Sequence, residues 1–434
     1  MTQVNVGLIG CGTVGAGVAR TLLEKPHALE RRIGARVSLK RVCDRDPKRA
    51  RALRIPADRL TSDARTILRD PEIQIVVELI GGIHPAKEFI LEALKAGKHV
   101  VTANKALLAE YGHELFAAAQ RDGADLYFEA SVGGGIPIIK AIREGLIANE
   151  VDTILGIVNG TSNYVLTQMH QKQLSFHEAL LEAKQHGYAE RDPSLDIEGH
   201  DAAHKLAILT LLGFGIRVPR AAIHTDGISQ VTLADIQYAQ ELGYCIKPLA
   251  LAKRVGRELD VRVHPTLLAK SHLLANVNGV YNAVYVHGDL VGTQLFYGRG
   301  AGQGPAASAV LSDIADVARN VVAGTSQRIP LDVGAHTPLT LRRIDDVETR
   351  YYLRFLVIDK PGVLARIAGV LGRHQISIAS VHQKERRAAK VVPVVMMTHE
   401  AREANVRRAL QAIDRLGVVK SPTVAIRTEA PRGK

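Results

Sequence analysis

The sequence predicts an α/β protein made of three successive parts. The first 130 residues alternate apolar, β-rich runs with amphipathic helical runs, an alternation typical of a parallel sheet covered on both faces. A middle part mixes strands with long helices, and the last part has the order βαββαβ, which is the ferredoxin-like pattern. Because 434 residues is long for a single core, several domains are expected.

The first part contains candidate strands separated by helical runs. The strands are predicted over residues 4–9, 36–43, 73–80, 98–103 and 124–130, and helices over 13–25 and 85–97. The segment "GGGIPIIKAIREGLIA" (133–148) predicts a helix that starts at glycines and leads out of this part. A second glycine cluster near residue 298 precedes a helix over about 302–325, which would return to the first part.

The C-terminal part is equally regular. Its strands are predicted over 351–359, 376–383, 391–398 and 421–427, and its helices over 362–375 and 401–416. Pro393 lies inside one of these strands, which favours an edge position or a strand start. Residues 326–350 lack clear periodicity and contain two prolines, so they are predicted to be a linker.

Composition narrows the function classes. No stretch approaches about 20 uninterrupted apolar residues, so no membrane span is expected. The start "MTQVNVGLIG" lacks a secretory-signal pattern. The three cysteines form neither a CxxC motif nor a disulfide framework, which is typical of a reducing compartment. We therefore expect a cytoplasmic protein without a membrane partner.

The net charge of +12 raises the question of nucleic acid. Residues 351–434 hold 16 Lys and Arg against 6 Asp and Glu, so most of the excess lies in the last part. No nucleic-acid-binding motif accompanies it. We interpret the excess as a solvated basic face and predict no nucleic-acid partner; its residues include Lys384, Arg386, Arg387, Lys390, Arg402, Arg407 and Arg408.

A glycine motif opens the chain's first strand–helix turn. In "GLIGCGTVGAGV", Gly10, Gly12 and Gly15 follow a predicted strand and precede a predicted helix. The first glycine permits a tight turn, the second lets the backbone approach a pyrophosphate, and the third allows close helix–strand packing. Strand, motif and helix agree, so the sequence predicts a Rossmann-like NAD(P)-binding domain over residues 1–135 plus about 302–325.

The second strand ends in "VCDRDPKRAR", which bears on the cofactor. Asp44 is placed to accept hydrogen bonds from a ribose 2′-hydroxyl, which would favour NAD. Arg45, Lys48 and Arg49 could instead hold the 2′-phosphate of NADP. Both the acid and the basic residues are present, so the sequence does not decide between NAD and NADP as the cofactor. The basic residues favour NADP.

Two lysines stand out as candidates for chemistry. Lys105 closes "HVVTANK" at the carboxyl end of a predicted strand, the end that faces the ligand crevice in open α/β sheets. In "GHDAAHKLAILTLLGFG" a helix is predicted to start near 198–200, which puts Asp201 and Lys205 on one face. The apolar run after them predicts a largely buried helix. Burying an acid and a lysine costs free energy of folding, so their presence there indicates a functional role.

Further acids precede this helix. Glu190, Asp192 and Asp196 lie in a loop interrupted by proline and glycine, which gives a cluster of carboxylates around one lysine. Such a cluster suits a small zwitterionic substrate, because carboxylates can hold its ammonium group while the lysine exchanges a proton at an oxygen.

The same helix offers an alternative. His200 and His204 are four residues apart, like the zinc ligands of a hydrolase helix, with an acid between them. That acid is Asp201 rather than glutamate, and a third ligand is not evident. A zinc hydrolase is therefore the weaker hypothesis.

Several motifs together resemble homoserine dehydrogenase. They are, in family order, "GLIGCGTVG", "VTANKALLA", "FEASVGGGIPII", "GIVNGTSNYVLTQM", "GYAERDPSLDIEGHDAAHKLAIL" and "GRGAGQGPAASAVLSDI". The C-terminal "IDKPGVLARIAGVLGRHQISIASVHQ" resembles an ACT domain, a regulatory module that often binds amino acids. The resemblance implies reversible NAD(P)H-dependent reduction of L-aspartate 4-semialdehyde to L-homoserine, on the path to threonine and methionine.

The resemblance also implies roles for individual residues. Lys205 would be the proton donor, with Lys105 near the nicotinamide and the substrate. Glu190 and Asp201, with the neighbouring Asp196, would bind the substrate. Leu195 stands where some relatives have an acid, so that position is not expected to be essential. The implied cofactor residues are Thr13, Val14, Gly187 and Gly302, and a monovalent cation, typically sodium, would bind at Glu129, Val132, Gly134 and Ile136, mostly through main-chain carbonyls.

The implied architecture has a substrate-binding and dimerisation domain over 136–301 and an ACT domain over 351–434. A homodimer or homotetramer is expected. Threonine is the candidate effector, bound at a domain interface near residues 359–362. The alternative from another class is a non-catalytic sensor that reads NAD(P) through one domain and an amino acid through the other.

Overall fold

The computed structural model describes residues 2–46, 53–330, 339–383 and 391–429. Its strands are, in chain order, β1 Gln3–Ile9, β2 Arg36–Cys43, β3 Leu60–Thr61, β4 Ile75–Glu78, β5 His99–Thr102, β6 Leu126–Tyr127, β7 Val151–Ile157, β8 His224–Thr225, β9 Tyr244–Val255, β10 Glu258–Ala269, β11 Tyr281–Gly288, β12 Gly292–Arg299, β13 Thr340–Leu341, β14 Glu348–Thr349, β15 Tyr351–Ile358, β16 Ile378–His382, β17 Val391–Thr398, β18 Ala401–Arg402 and β19 Val424–Glu429.

The α-helices follow the same order. They are α1 Thr13–Glu24, α2 Pro26–Ile33, α3 Arg65–Leu68, α4 Ala86–Lys95, α5 Lys105–Arg121, α6 Ile138–Lys140, α7 Gly160–Lys172, α8 Phe176–Gln185, α9 Ser194–Ile197, α10 His200–Phe214, α11 Leu233–Glu241, α12 Gln303–Val322, α13 Val363–Arg373 and α14 Glu403–Asp414. Among the described residues, no helix combines the length and apolarity needed to cross a membrane.

The chain divides into two compact units, of which the first holds residues 1–154, 204–222 and 282–337. Its sheet is parallel throughout, in the order β3-β2-β1-β4-β5-β6. This is the doubly wound order of dinucleotide-binding domains. The central strand β1 is buried on both faces at its carboxyl end, where the adjacent residues Leu8 and Ile9, which point to opposite faces, have exposed fractions of 0% and 2%; this is expected for a strand covered by helices on both sides. The α/β prediction is confirmed.

The predicted returning helix is α12, which packs on α1 in this unit. Their approach is close at Gly17, where an added Cβ would lie 2.9 Å from Gln303 Cγ and 3.0 Å from Ala307 Cβ. Val310 and Ile314 of α12 join the same apolar core as Val18 of α1. The packing attaches a late segment of the chain to the N-terminal sheet.

The helix predicted over 133–148 was wrong in its first residues. Gly133 and Gly134 have positive φ values of 71° and 56°, which are not helical. At Gly134 a Cβ would lie 2.5 Å from the carbonyl oxygen of Gly300, so the turn requires glycine. Pro137 follows, and only then does the short α6 begin, continued by a π-helix over Ala141–Gly145.

The second unit holds residues 155–203, 223–281 and 338–434. Its long strands β9 and β10 form an antiparallel pair, and β10 pairs in parallel with β19. The sheet continues from β19 through β15 and β17 to β16. Helices α7, α8 and α11 pack together around a core that includes Val165, Met169 and Ile236.

The four strands β19-β15-β17-β16, with α13 and α14, have the ferredoxin-like topology that the βαββαβ order predicts. They enclose their own apolar core, which contains Phe355, Ile367 and Ile413. This C-terminal domain is joined to α11, because Tyr352 and Arg354 of β15 both bind the buried Asp235. The prediction for this part of the fold is confirmed.

Two details of this unit differ from expectation. Pro393 lies in β17, which is an interior strand, but β16 pairs only with Val395–Thr398, so the proline side of β17 resembles an edge there. Within the predicted linker, β13 pairs with β10 and β14 pairs with β18. Residues 331–338 of that linker lie outside the described residues, as do Lys384, Arg386, Arg387 and Lys390 of the basic face.

Candidate active site

The glycine motif forms the turn between β1 and α1. Gly10 has a φ of 98°, and an added Cβ there would lie 2.7 Å from the carbonyl oxygen of Leu79. A Cβ on Gly15 would lie 2.0 Å from the carbonyl oxygen of Gly10, so helix and turn touch. Gly12 precedes α1 and faces open space, which leaves the helix N-terminus accessible to a phosphate.

A cavity of about 390 Å³ opens beside this turn, at the carboxyl ends of the strands. Gly10, Gly12, Asp44 and Arg45 line it together. The Asp44 carboxylate is oriented by two backbone donors, Cys11 N at 2.6 Å and Asp46 N at 2.8 Å. Arg45 is exposed, and Lys48 and Arg49 lie outside the described residues. The cavity therefore has the position and polarity of a dinucleotide site.

Gly302 lies at the start of α12 with a φ of 114°, and the neighbouring Gln303 donates from Nε2 to the carbonyl oxygen of Thr13 at 3.0 Å. The structure thus brings the predicted residues Thr13, Val14 and Gly302 to one side of the first unit. This arrangement follows from the packing of α12 on α1.

Lys105 is the first residue of α5, directly after Asn104, whose side chain accepts a hydrogen bond from Leu107 N at 3.2 Å. The Asn104 amide also donates to the carbonyl oxygen of Gly82 at 2.6 Å. Nearby, the fully buried Glu78 accepts from Thr102 Oγ1 at 2.7 Å and from Ile80 N at 2.8 Å. These bonds hold the ends of β4 and β5 beside the cofactor cavity.

Sequence reasoning missed Glu78 and Asn104. Burial raises the pKa of Glu78, and its hydrogen bonds to Thr102 and the turn after β4 oppose that rise. The sequence does contain a signal for Glu78: it is an acid at the end of a continuous apolar strand. A carboxylate at such a position is expected to be buried.

The predicted cation residues lie in one buried turn of the first unit. Glu129, Val132 and Ile136 are each almost fully buried, and Gly134 forms the tight turn described above. The Glu129 carboxylate accepts from Ile139 N and Lys140 N, both at 2.9 Å. A carboxylate has room for further contacts beyond two N–H donors.

The acid–lysine helix α10 begins at His200. Asp201 and Lys205 are one turn apart, and their exposed fractions are 2% and 8%. His200 is exposed and His204 is half-buried. Across the described ranges no group of three or more His, Cys, Asp and Glu is arranged to hold a metal, which gives the zinc hypothesis no support.

Asp196 and Asp201 are brought together by an amide. Asn159 Nδ2 donates to Asp196 Oδ1 at 2.7 Å and to Asp201 Oδ2 at 2.8 Å. The sequence placed Asn159 in a family-like motif but gave it no role. Because it is 37 and 42 residues from the two acids, no periodic pattern joins it to them.

The segment carrying Gly187 and Glu190 follows α8. Gly187 has a φ of 72°, and the carbonyl oxygen of Tyr188 accepts from Thr161 Oγ1 of α7 at 2.7 Å. Glu190 is exposed, and so is half of the Leu195 surface. In the second unit, the structure therefore attaches this segment to the same helix whose N-terminus holds the acids.

The C-terminal domain has a cavity of its own, about 530 Å³, at the turn between β15 and α13. Asp359, Lys360 and Gly362 line it, and Gly362 has a φ of 85°. Its position coincides with the turn at which the sequence places an effector.

Family models match most of the chain. Residues 10–129 match the homoserine dehydrogenase NAD-binding domain, residues 137–315 match homoserine dehydrogenase, and residues 351–418 match the ACT domain. A homoserine dehydrogenase from Neisseria gonorrhoeae is 44% identical over 436 residues, covering 99% of each chain.

Solved structures agree with these matches. The structure of a homoserine dehydrogenase from Thiobacillus denitrificans shares 46% identity, with a TM-score of 0.93 and 99% of each chain covered. A hyperthermophilic archaeal homoserine dehydrogenase in complex with NADPH is 27% identical, with a TM-score of 0.64 over 75% of this chain and all of the other. The chain therefore belongs to the homoserine dehydrogenase family, NAD(P)-dependent oxidoreductases that act on a CH–OH group, and carries an ACT domain.

Proposed function

We propose that this protein reversibly reduces L-aspartate 4-semialdehyde to L-homoserine, with Lys205 as the proton donor. The observation that carries the proposal is the pairing of a buried acid and a buried lysine one turn apart on α10, preceded by Asp196. Burying a charged pair costs free energy of folding, so such a pair indicates a functional role, and proton transfer at a substrate oxygen is such a role. Membership of the family supports the same reaction.

The chemistry requires one hydride and one proton. When bound, the nicotinamide cofactor supplies the hydride. As the C=O π electrons move onto the substrate oxygen, the Lys205 ammonium would stabilise the developing charge and then donate a proton to form the hydroxyl. Lys205 is left neutral and regains its proton from solvent. In the reverse direction neutral Lys205 takes the hydroxyl proton.

The acids and Lys105 take the remaining parts of the site. Asp201, Asp196 and Glu190 would hold the ammonium group of the amino-acid substrate, since carboxylates are its natural partners. Lys105, at the N-terminus of α5, would lie near the nicotinamide and the substrate. Gly187 would contact the cofactor from the segment after α8.

The cofactor, either NADP or NAD, would bind in the cavity beside the glycine turn, with its pyrophosphate at the N-terminus of α1. A monovalent cation, sodium, would be held at the turn of Glu129, Val132, Gly134 and Ile136 by carbonyl and carboxylate oxygens. Burial raises the pKa of Glu129, and a bound cation would oppose that rise.

Two proposals concern assembly and control. The protein would form a homodimer or homotetramer through its middle domain, as the family resemblance implies. The cavity at the turn of Asp359, Lys360 and Gly362 would bind an amino-acid effector, with threonine as the candidate because it is the pathway product.

Initial-rate kinetics of homoserine oxidation with NAD and with NADP, each with and without threonine, test the cofactor and the effector. We expect Lys205→Ala to lose nearly all turnover while cofactor binding, measured by fluorescence titration, is retained. Lys172→Ala, in an exposed ion pair with Glu182, is the matched lysine control and should leave turnover unchanged. Turnover retained in Lys205→Ala would remove Lys205 from its role. Unchanged activity and oligomeric state under threonine titration would count against the effector.

A further inference from the structure

Asn159 uses both of its amide donors and its oxygen acceptor in one place. It precedes α7 as the N-cap residue, and its Oδ1 accepts from Ser162 N at 2.8 Å. Its Nδ2 donates to Asp196 and to Asp201, and its exposed fraction is 5%. A primary amide has two N–H donors, so each of the two hydrogens serves one carboxylate.

The orientation of this amide is determined by its surroundings. A backbone N–H faces the oxygen end and two carboxylates face the nitrogen end, so a flipped amide would oppose both sets of partners. Ser162 Oγ strengthens the arrangement by donating to the carbonyl oxygen of Asp196 at 2.9 Å. The start of α7 thus fixes both the side chain and the backbone of Asp196.

Two adjacent carboxylates repel each other, and burial increases the effect. A neutral amide that donates to both offsets part of this repulsion without introducing a positive charge. A lysine or arginine in its place would neutralise the acids and compete with a cationic ligand. The amide therefore keeps the pair negative and fixed in direction.

We propose that Asn159 is a positioning residue for the reaction, which holds the carboxylates of Asp196 and Asp201 in the geometry that binds the ammonium group of the substrate. The inference rests on the proposed function, because it assigns the two acids to the substrate. Asn159 itself contacts the acids rather than the reacting atoms.

Two substitutions separate this role from the helix cap. Serine and aspartate are both good N-caps, so Asn159→Ser and Asn159→Asp keep a side-chain acceptor for Ser162 N. Both remove the amide donors. Asn159→Asp in addition places a third carboxylate against the pair, which adds to the repulsion between like charges.

Asn163 provides the matched control. It is a fully buried asparagine one turn further along α7, and its Nδ2 donates to the carbonyl oxygens of Val277, Gly279 and Tyr281 rather than to acids. Asn163→Ser removes the same number of donors from the same helix. It should lower the melting temperature and leave the KM for homoserine within about twofold.

For Asn159→Ser we expect the KM for homoserine to rise roughly 10- to 100-fold, with the Kd for the cofactor unchanged. For Asn159→Asp the KM for homoserine should also rise, because this variant likewise lacks the amide donors to Asp196 and Asp201. A wild-type KM in Asn159→Ser, or equal KM changes in the Asn159 and Asn163 variants, would overturn the inference. Absence of homoserine oxidation in the wild-type protein would instead overturn the proposed function.

Discussion

Two buried cations in the second unit illustrate opposite ways to place a charge in a protein interior. Arg427 of β19 and Lys247 of β9 have exposed fractions of 7% and 3%. Arg427 donates twice to Glu403, both at 2.8 Å, and once to Asp226 at 2.7 Å. Lys247 donates to the carbonyl oxygen of Val277 at 2.5 Å and to Asn278 Oδ1 at 2.9 Å, both of which are neutral.

The partners determine the protonation behaviour. Burial lowers the pKa of Arg427, but its carboxylate partners outweigh that effect and raise the pKa above the usual arginine value. For Asp226, burial acts to raise the pKa, but the hydrogen bond from His224 and the charge of Arg427 hold it well below its usual range. Burial lowers the pKa of Lys247 to about 8. Lys247 also lines a cavity of about 270 Å³. A buried cation is therefore stabilising only where acids compensate it, and the three substitutions below test this rule.

Arg427→Met should have the largest effect. It leaves Glu403 and Asp226 buried or half-buried without their cation, and breaking a buried pair from one side costs about 3–5 kcal/mol. Glu403 and Arg427 lie in the ferredoxin-like part of the second unit and Asp226 lies between β8 and α11 of the same unit, so the loss should appear as weaker packing between these two parts. Urea unfolding followed by circular dichroism measures it.

The double variant Arg427→Met with Glu403→Gln is the control. If the cost comes from the uncompensated carboxylate, the double variant should recover part of the free energy of unfolding lost in the single variant. An unfolding midpoint in Arg427→Met equal to that of the wild type would contradict the comparison.

The ion pairs of Arg427 with Glu403 and Asp226 also show which contacts the sequence does not predict. Glu403 and Asp226 lie 24 and 201 residues from Arg427 along the chain, so no spacing joins them. Asp201 and Lys205 were found because one helical turn separates them and an apolar run follows. Five of the six strands of the N-terminal sheet were found for the same reason, since apolar runs and glycine turns are local signals, whereas the two-residue strand β3 was missed. Asn159, whose partners are distant in sequence, was not.

The errors have a similar origin. The helix expected over 133–148 begins only at Ile138, because Gly133 and Gly134 have positive φ values and Gly134 packs closely against the carbonyl of Gly300, a residue from a distant part of the chain. The local sequence "GGGIPIIK" on its own predicts the start of a helix. Residues 326–350 were predicted to be a linker because they lack clear periodicity, and within them β13 and β14 pair with strands that are far away in sequence.

Lys247→Met should have an intermediate effect that depends on pH. Below about pH 8 Lys247 is charged in both folded and unfolded states, and its burial cost is fully present. Between pH 8 and 10.5, the ordinary pKa of a lysine, the folded protein loses the proton first, so the unfolded state binds more protons and stability rises with pH. The wild type should gain up to about 3 kcal/mol over Lys247→Met across this window.

Urea unfolding of both proteins at pH 7.5 and at pH 10 measures this gain. Lys253→Met provides the control, because the Lys253 ammonium contacts the Glu429 carboxylate and so has a charged partner. Parallel stability profiles for the wild type and Lys247→Met would show that Lys247 is compensated after all, and would break the contrast with Arg427.

Arg407→Ala should have the smallest effect, and it extends the comparison to an exposed cation. The Arg407 guanidinium contacts Asp345, but the exposed fractions of the two side chains are 51% and 30%. Water screens such a pair, so its loss should cost less than about 1 kcal/mol and should shrink further in concentrated salt. Arg408→Ala is the matched control, since within the described ranges Arg408 donates to the neutral oxygens of Ala404 and Asn405 rather than to a carboxylate. Thermal unfolding in low and high salt should therefore differ only slightly between the two variants. A loss for Arg407→Ala as large as that for Arg427→Met would mean that burial of the partners does not determine what an ion pair contributes here.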